Sequence, residues 1–258
     1  MGSFEGLLRK EWVQYRSWLL LLLIAGPLIL IGLPYVCTEM LEINVEKGEL
    51  SFILMFFVLA MGGWVTLMQL ISSLRADIRR KEIWLHSTVS MNTLVGVKML
   101  YTIITYLVFT LIISAVGLYL SQEILKGTFL QYANTCVLMI LIAVLFYCAF
   151  IVIAHLCFVF NLQLKRYVGK FSIFITAIAI IAGIILLVKL VENPLYILLL
   201  KNSELSLEFL ATNLLTINSP GSGMTFGSIY IVEEIFSWSS LILMFIVSNK
   251  WLEKVVTR

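Results

Sequence analysis

Long apolar stretches with positive charge clustered at only one end constrain the fold of this chain more than any other feature. An apolar stretch of about 20 residues can cross the hydrocarbon core of a bilayer as a helix. Of the 18 Lys and Arg residues, 14 fall in four clusters that flank apolar stretches, at residues 9–16, 75–98, 165–170 and 250–258. The intervening segments are acidic or neutral. This alternation predicts a polytopic membrane protein whose basic clusters face the cytoplasm.

Composition supports the same class of protein. Apolar residues make up 61% of the chain and charged residues 13%, against roughly 45–50% and 25% in soluble domains. The basic clusters end apolar runs and do not form a continuous basic face, so no nucleic-acid partner is indicated. The four cysteines show no CxxC spacing, which argues against a metal site.

We therefore predict an all-α polytopic membrane protein with a single transmembrane domain over residues 1–258. The six predicted spans are residues 18–36, 52–74, 99–120, 132–160, 171–190 and 229–247. An even number of spans places both termini in the cytoplasm, where their basic residues are expected. Residues 191–227 combine a short apolar run with a Pro- and Gly-containing breaker, which predicts an extracellular or re-entrant segment. The pair Gly62-Gly63 would let another helix approach the second span closely.

Residues 3–17 have the pattern of an amphipathic helix that lies in the inner membrane interface. Arg9 and Lys10 face away from an apolar stripe. Glu11 breaks this pattern, because it falls within the stripe. The alternative is a plain basic flank before the first span. The apolar stripe consists of Phe4, Leu7, Leu8, Trp12 and Tyr15.

The segment between the second and third spans, residues 75–98, is densely charged at first and then aromatic. Exposure of Trp84 and Leu85 to the cytosol would be costly unless another surface covered them. A protein partner would provide that cover. The alternative is a solvated loop that only anchors the topology.

This layout resembles the membrane-spanning permease subunit of a type 2 ATP-binding-cassette (ABC) exporter. Leu-Arg-Lys-Glu-Trp at residues 8–12 precedes the first span. Arg-Arg-Lys-Glu at residues 79–82 and Trp-Leu-His-Ser-Thr-Val-Ser at residues 84–90 follow the second span. Val-Gly-Val-Lys at residues 95–98 opens the third. The resemblance covers nearly the whole chain and depends on the order of these elements.

The resemblance implies that residues 3–17 form an elbow helix and that the 75–98 loop holds a cytoplasmic coupling helix against the ATPase. It also implies a second, smaller contact at Lys165 and Arg166. The main contact residues would be Arg79, Lys81, Glu82, Trp84, Leu85 and His86. The assembly would contain two copies of a separate ABC ATPase and a second permease subunit, identical or related to the first.

The resemblance also implies that this chain is not an enzyme by itself and holds no cofactor. The sequence contains no Gly-x-x-x-x-Gly-Lys-Ser/Thr phosphate loop, so ATP and Mg²⁺ would bind to the partner ATPase. The predicted location is the bacterial cell membrane. The spans contain few polar residues, which favours export of an amphipathic or hydrophobic substrate, such as a peptide, an antibiotic or a lipid-like molecule.

Glu233 and Glu234 lie near the outer end of the last span, where water would solvate them. A place in the substrate path is one alternative, and an intramembrane enzyme that uses both carboxylates is another. The chain has only two histidines, His86 and His155, so no catalytic metal is indicated. His155 is expected to make an interhelical hydrogen bond. A third hypothesis is a sensing or immunity subunit that binds a peptide or antibiotic at residues 201–208 without net transport.

Overall fold

Helices dominate the computed structural model, which describes residues 3–40, 47–79, 90–122, 125–206, 216–217 and 228–257. A π-helical turn, Val36–Met40, follows the first helix. A 3₁₀ turn, Gly169–Phe171, joins the fourth helix to the fifth. The helices are α1 (Ser3–Tyr35), α2 (Lys47–Arg79), α3 (Met91–Leu120), α4 (Phe129–Val168), α5 (Ser172–Val191), α6 (Pro194–Leu200) and α7 (Ile231–Thr257).

Two short antiparallel ladders accompany the helices, and the all-α prediction did not include them. Strand β1 (Leu125–Lys126) pairs with β3 (Thr216–Ile217). Strand β2 (Glu204–Ser206) pairs with β4 (Ser228–Tyr230), which leads directly into α7.

Several helices are long and apolar enough to cross a bilayer, which is compatible with a multi-pass membrane protein. Within the described ranges there are five such segments, and the longest, of 63 residues, contains both α4 and α5. Helix α4 includes the predicted span 132–160, and α5 includes all but the first residue of the span 171–190. The number of crossings remains a prediction. The five segments are Phe4–Glu39, Lys47–Arg79, Met91–Leu120, Phe129–Val191 and Ile231–Val255.

Helix α5 shows the inverse of the burial pattern of a water-soluble protein. Its buried residues are Ser172 and Thr176, while its isoleucines and leucines are exposed. The Thr176 hydroxyl donates a hydrogen bond to the Ser172 carbonyl at 2.8 Å, so this polar group is satisfied within the helix. An apolar exterior of this extent is expected where lipid is the solvent.

The structure has one continuous helix, α1, where the sequence suggested an elbow helix followed by a span. Its 33 residues extend about 50 Å at about 1.5 Å per residue. No Gly or Pro interrupts the chain between residues 7 and 25, so the local sequence supplies no break. Pro27 and Pro34 lie inside α1, and the π-helical turn begins two residues after Pro34.

Helices occupy both ends of the predicted 75–98 loop. Helix α2 continues to Arg79 and α3 begins at Met91. The structure therefore places Lys98 two turns inside α3, where it is buried, and not in a cytoplasmic loop. The described residues do not include 80–89, so the predicted coupling helix lies outside them.

The chain divides into two compact units. Unit 1 comprises residues 1–73, 96–148 and 209–225. At its centre the Phe109 ring of α3 is fully buried. A Cβ atom at Gly26 of α1 would approach this ring to 2.9 Å, and one at Gly62 of α2 would overlap it. The close approach predicted for Gly62-Gly63 is thus confirmed, because glycine leaves the room that Phe109 occupies.

Unit 2 comprises residues 74–95, 149–208 and 226–258. Its buried apolar residues include Ile151, Val159 and Leu252, from α4 and α7. The rings of Phe160 and Trp251 join the same two helices, with centroids 5.8 Å apart.

Candidate functional site

A buried ion pair in unit 1 links three helices. The Lys98 ammonium of α3 lies 2.5 Å from Oε1 of Glu11 in α1, and both side chains are only 4% exposed. The Ser73 hydroxyl of α2 donates a hydrogen bond to Oε2 of Glu11 at 2.9 Å. Lys98 also donates to the Ser73 oxygen. Each of the three side chains thus contacts the other two, and we call this group the Glu11–Lys98–Ser73 cluster.

The position of Glu11 explains the irregularity in the apolar stripe of the N-terminal segment. On α1, Tyr15, Leu19 and Leu22 are buried on the face that also contains Glu11. Their spacing of three to four residues is that of a helix packed along one seam. The carboxylate therefore points into unit 1 and not toward water. A charge buried in this way is tolerated only when paired, and Lys98 provides the pair.

Further polar side chains extend from the Glu11–Lys98–Ser73 cluster along α2 and α3. On α2, Thr66, Gln69 and Ser73 share one buried face, at spacings of three and four residues. The threonines satisfy their hydroxyls within their own helices; Thr66, for example, donates to the Gly62 carbonyl at 2.9 Å. We call the whole set the buried polar strip: Glu11, Thr66, Gln69, Ser73, Lys98, Tyr101, Thr102, Thr105, Tyr106 and Tyr147.

The polar residues of the spans are few, but those of the buried polar strip are gathered inside unit 1. Every residue of the strip is less than 9% exposed, although the helices that supply them are strongly apolar. Ionisable and hydrogen-bonding groups at such positions are costly, and in membrane proteins they concentrate at functional sites. The strip is therefore the candidate functional site of the described chain.

Three of the eight residues predicted to contact an ATPase are described, and all three are exposed. Arg79 is exposed at the last position of α2. Lys165 and Arg166 are exposed in the last turn of α4, immediately before the turn at Gly169, whose φ of 61° favours glycine. The other five, Lys81, Glu82, Trp84, Leu85 and His86, lie outside the described residues.

The two carboxylates of Glu233 and Glu234 have different surroundings. Both lie in the first turn of α7. Glu233 is half-buried and accepts a hydrogen bond from the Tyr196 hydroxyl of α6 at 2.7 Å, whereas Glu234 is exposed. Partial burial, together with the bond to the Glu233 carboxylate, raises the pKa of Tyr196 to about 12. The structure thus assigns Glu233 a specific partner, a contact that the sequence did not reveal.

The start of α7 is held by the segment that precedes β2. The Ser203 carbonyl accepts a hydrogen bond from the Ile231 amide at 3.1 Å, and the Ser203 hydroxyl accepts one from the Val232 amide at 3.2 Å. The Lys201 ammonium lies 5.6 Å from the centroid of the Tyr230 ring. Part of the segment proposed for peptide binding, residues 201–206, is therefore an ordered cap on α7 in unit 2.

His155 makes the interhelical hydrogen bond that the sequence predicted. Its Nε2 lies 3.0 Å from Oδ1 of Asn249, which joins α4 to α7 within unit 2. Both side chains are buried. Among the described residues, no group of three or more His, Cys, Asp or Glu side chains could hold a metal ion.

Sequence reasoning missed the Glu11–Lys98–Ser73 cluster, although two signals pointed to it. Glu11 interrupted an apolar stripe, and Lys98 stood where a helical span was about to begin. Their pairing joins residues 87 positions apart in the chain, so it depends on the tertiary fold.

Comparison of the chain with protein-family models, with curated proteins and with solved structures finds no match. The function must therefore be argued from the site and from the arrangement of the helices.

Proposed function

We propose that this chain is the membrane-spanning permease subunit of an ATP-driven exporter of the type 2 ABC class, in a bacterial cell membrane. A separate ATPase, present in two copies, binds ATP and Mg²⁺. A second permease subunit, identical or related, completes the substrate path. The substrate is amphipathic or hydrophobic, such as a peptide, an antibiotic or a lipid-like molecule, with a hydrogen-bonding group that the buried polar strip can accommodate.

The order of helices and basic residues supports this proposal. Arg75 and Arg79 lie at the end of α2, Lys165 and Arg166 at the end of α4, and Lys254 in the last turn of α7. Helices α2, α4 and α7 would then run toward the cytoplasm, with α3 and α5 returning from it. In this orientation the segment between α2 and α3 faces the cytoplasm, where a soluble ATPase could reach it.

The Glu11–Lys98–Ser73 cluster is the single observation that carries the proposal. Ser73 lies six residues before the end of α2, and Lys98 seven residues after the start of α3. Helices α2 and α3 thus each contribute one residue, Ser73 and Lys98, that contacts the Glu11 carboxylate of α1. A displacement of these two helices by an ATPase would move α1 as well, because separating two buried charges is costly. The cluster is thus suited to transmitting a cytoplasmic motion into the membrane helices.

Purification of the complex would test the proposal. Affinity-tagged protein, extracted from its own membranes in mild detergent, should co-purify with a phosphate-loop protein and with vanadate-sensitive ATP hydrolysis. Replacing Arg79, Glu82 and Trp84 together by Ala should reduce both at least tenfold. A control variant removes one exposed cation, one exposed acid and one exposed aromatic residue elsewhere, through Lys189→Ala, Glu192→Ala and Tyr119→Ala.

The control variant should retain the ATPase and its activity. Equal co-purification by the interface variant and the unmodified protein would refute the coupling interface. Complete absence of a nucleotide-binding protein from the unmodified preparation would refute the transporter proposal itself.

The alternative of an intramembrane enzyme has less support. Paired carboxylates act together when both address one reacting group. Here the Glu233 carboxylate is occupied by Tyr196, while Glu234 is exposed. A Glu233→Gln/Glu234→Gln variant should therefore keep full transport activity, and loss of all activity in that variant would favour the enzyme.

A further inference from the structure

Three side chains of the buried polar strip have polar atoms without a hydrogen-bond partner. Gln69 of α2 is 5% exposed, and neither its amide nitrogen nor its amide oxygen is bonded. The hydroxyls of Tyr101 in α3 and Tyr147 in α4 are also unbonded, and each residue is 4% exposed. All three belong to unit 1.

Such groups are rarely left without partners in folded proteins. Most buried polar atoms bond to protein or to ordered water, and an unpaired one loses its hydration without compensation. The loss is greater inside a membrane, where lipid offers no donor or acceptor. Four unpaired atoms on three neighbouring helices therefore call for a common partner.

The unpaired atoms form a continuous series. The Tyr101 hydroxyl faces the side chains of Gln69 and Thr105, but no hydrogen bond of good distance and angle joins them. The Tyr147 hydroxyl faces Thr66 in the same way, one helical turn from Gln69. The series thus begins beside the Glu11–Lys98–Ser73 cluster and extends along α2 for about 10 Å, since Ser73 and Thr66 are seven residues apart.

Aromatic stacking orients Tyr147, which lies at the end of the series away from the Glu11–Lys98–Ser73 cluster. The rings of Tyr106 and Tyr147 stack with centroids 4.2 Å apart and an interplanar angle of 29°. The Tyr106 hydroxyl is directed to the Leu59 carbonyl at 3.4 Å, so it already has an acceptor. The Tyr147 hydroxyl, from the other ring of this pair, has no hydrogen-bond partner.

The residues that follow Thr66, Gln69 and Ser73 in the sequence are buried too, but they are apolar. Leu67, Leu70 and Leu74 of α2 are each no more than 3% exposed and have no polar side-chain atoms. Their side chains can form no hydrogen bond to water. Within unit 1, helix α2 therefore has a buried polar face and, at Leu67 and Leu70, a buried apolar face.

We propose that unit 1 binds a file of water molecules along the buried polar strip, from the Glu11–Lys98–Ser73 cluster to Tyr147. The waters bond to the Gln69 amide and to the Tyr101 and Tyr147 hydroxyls, which supply both donors and acceptors. The file gives water and small polar solutes access to the interior of the helix bundle. This inference does not depend on an ATPase partner and stands apart from the proposed transport function.

Cysteine reactivity at three adjacent positions tests the file. In a variant with all four natural cysteines replaced by Ser, single cysteines are introduced as Met68→Cys, Gln69→Cys and Leu70→Cys. Each is treated with a small cationic methanethiosulfonate reagent, which requires a thiolate and therefore local water. Met68 is 54% exposed on the apolar exterior, and Leu70 is 1% exposed on the buried apolar face, so the three positions sample lipid, file and core at one depth.

The file predicts that the cysteine at position 69 reacts at least tenfold faster than those at positions 68 and 70. A rate at position 69 equal to that at position 70 would overturn the inference.

A second measurement uses the unsubstituted protein and so does not depend on how the variants fold. Hydroxyl radicals produced by a brief X-ray pulse modify buried side chains that lie beside bound water. Tyr101 and Tyr147 should be oxidised at least fivefold faster than Phe109, which is equally buried in the apolar core. Equal protection of all three residues would refute the water file even if the cysteine variants proved unstable.

Discussion

Removing one partner of the Glu11–Lys98 pair should destabilise the protein strongly. Unit charges 2.5 Å apart attract each other by about 7 kcal/mol at an effective dielectric constant of about 20. Much of this offsets the cost of removing both charges from water. In Lys98→Met the Glu11 carboxylate keeps that cost but loses the attraction, and only Ser73 remains bonded to it. We expect the free energy of unfolding to fall by about 3–5 kcal/mol.

Removing both charges together should cost far less. In the double variant Glu11→Leu/Lys98→Met no charge remains buried, and the Ser73 hydroxyl can bond to a backbone carbonyl of its own helix. Apolar replacement of a buried ion pair is often neutral or stabilising by about 1–4 kcal/mol. The double variant should therefore be at least as stable as either single variant, with a coupling energy of about 3 kcal/mol or more between the two sites.

An exposed ion pair of similar geometry provides the matched control. The Lys47 ammonium lies 2.6 Å from Oε1 of Glu39, but the side chains are 51% and 52% exposed. A double-mutant cycle at Lys47 and Glu39 should give a coupling energy of about 0–1 kcal/mol, because water screens the attraction between exposed charges.

Both cycles are measured by reversible unfolding in mixed detergent micelles, followed by circular dichroism. Additive single-variant effects at Glu11 and Lys98, with each below about 1 kcal/mol, would refute the reasoning from burial.

Three further predictions concern other contacts. Gly62→Ala should lower the free energy of unfolding by about 1–3 kcal/mol, because the new Cβ would overlap a buried ring in the same unit; unfolding in micelles measures this. Asn249→Ala should cost about 1–3 kcal/mol, because it leaves His155 buried without its hydrogen bond. The folded-state pKa of Tyr196 lies above its usual value, so its contribution to stability is complete below pH 10 and is lost as the pH rises toward about 12. In tyrosinate absorbance titrations, Glu233→Gln should move this titration back toward pH 10.

The long helices could be predicted from the sequence because hydrophobicity is a local property. Helices α2, α3 and α4 contain the predicted spans 52–74, 99–120 and 132–160, and α5 contains all but the first residue of 171–190. The role of Gly62 was also visible, since a glycine pair within an apolar run indicates close packing. The amphipathic pattern of residues 3–17 suggested a separate interfacial helix, whereas α1 continues through residue 17 without a helix-breaking residue.

The candidate site was largely beyond prediction. A charge at Glu11 or Lys98 is readable in the sequence, but the partner that makes its burial tolerable comes from a distant helix. Likewise, the local sequence around Gln69 and Tyr101 does not indicate whether their side chains are buried or in contact with water. The short β2–β4 ladder was missed because strands of three residues lack a measurable periodicity.

Cysteine labelling of intact cells tests the central claim, which is the orientation of the helices in the membrane. In a variant without natural cysteines, Trp84→Cys and Glu204→Cys are each treated with a membrane-impermeant maleimide before and after permeabilisation. The account predicts that position 204 reacts in intact cells and that position 84 reacts only after permeabilisation. Labelling of position 84 from outside, or of position 204 only from inside, would contradict the topology and every role assigned from it.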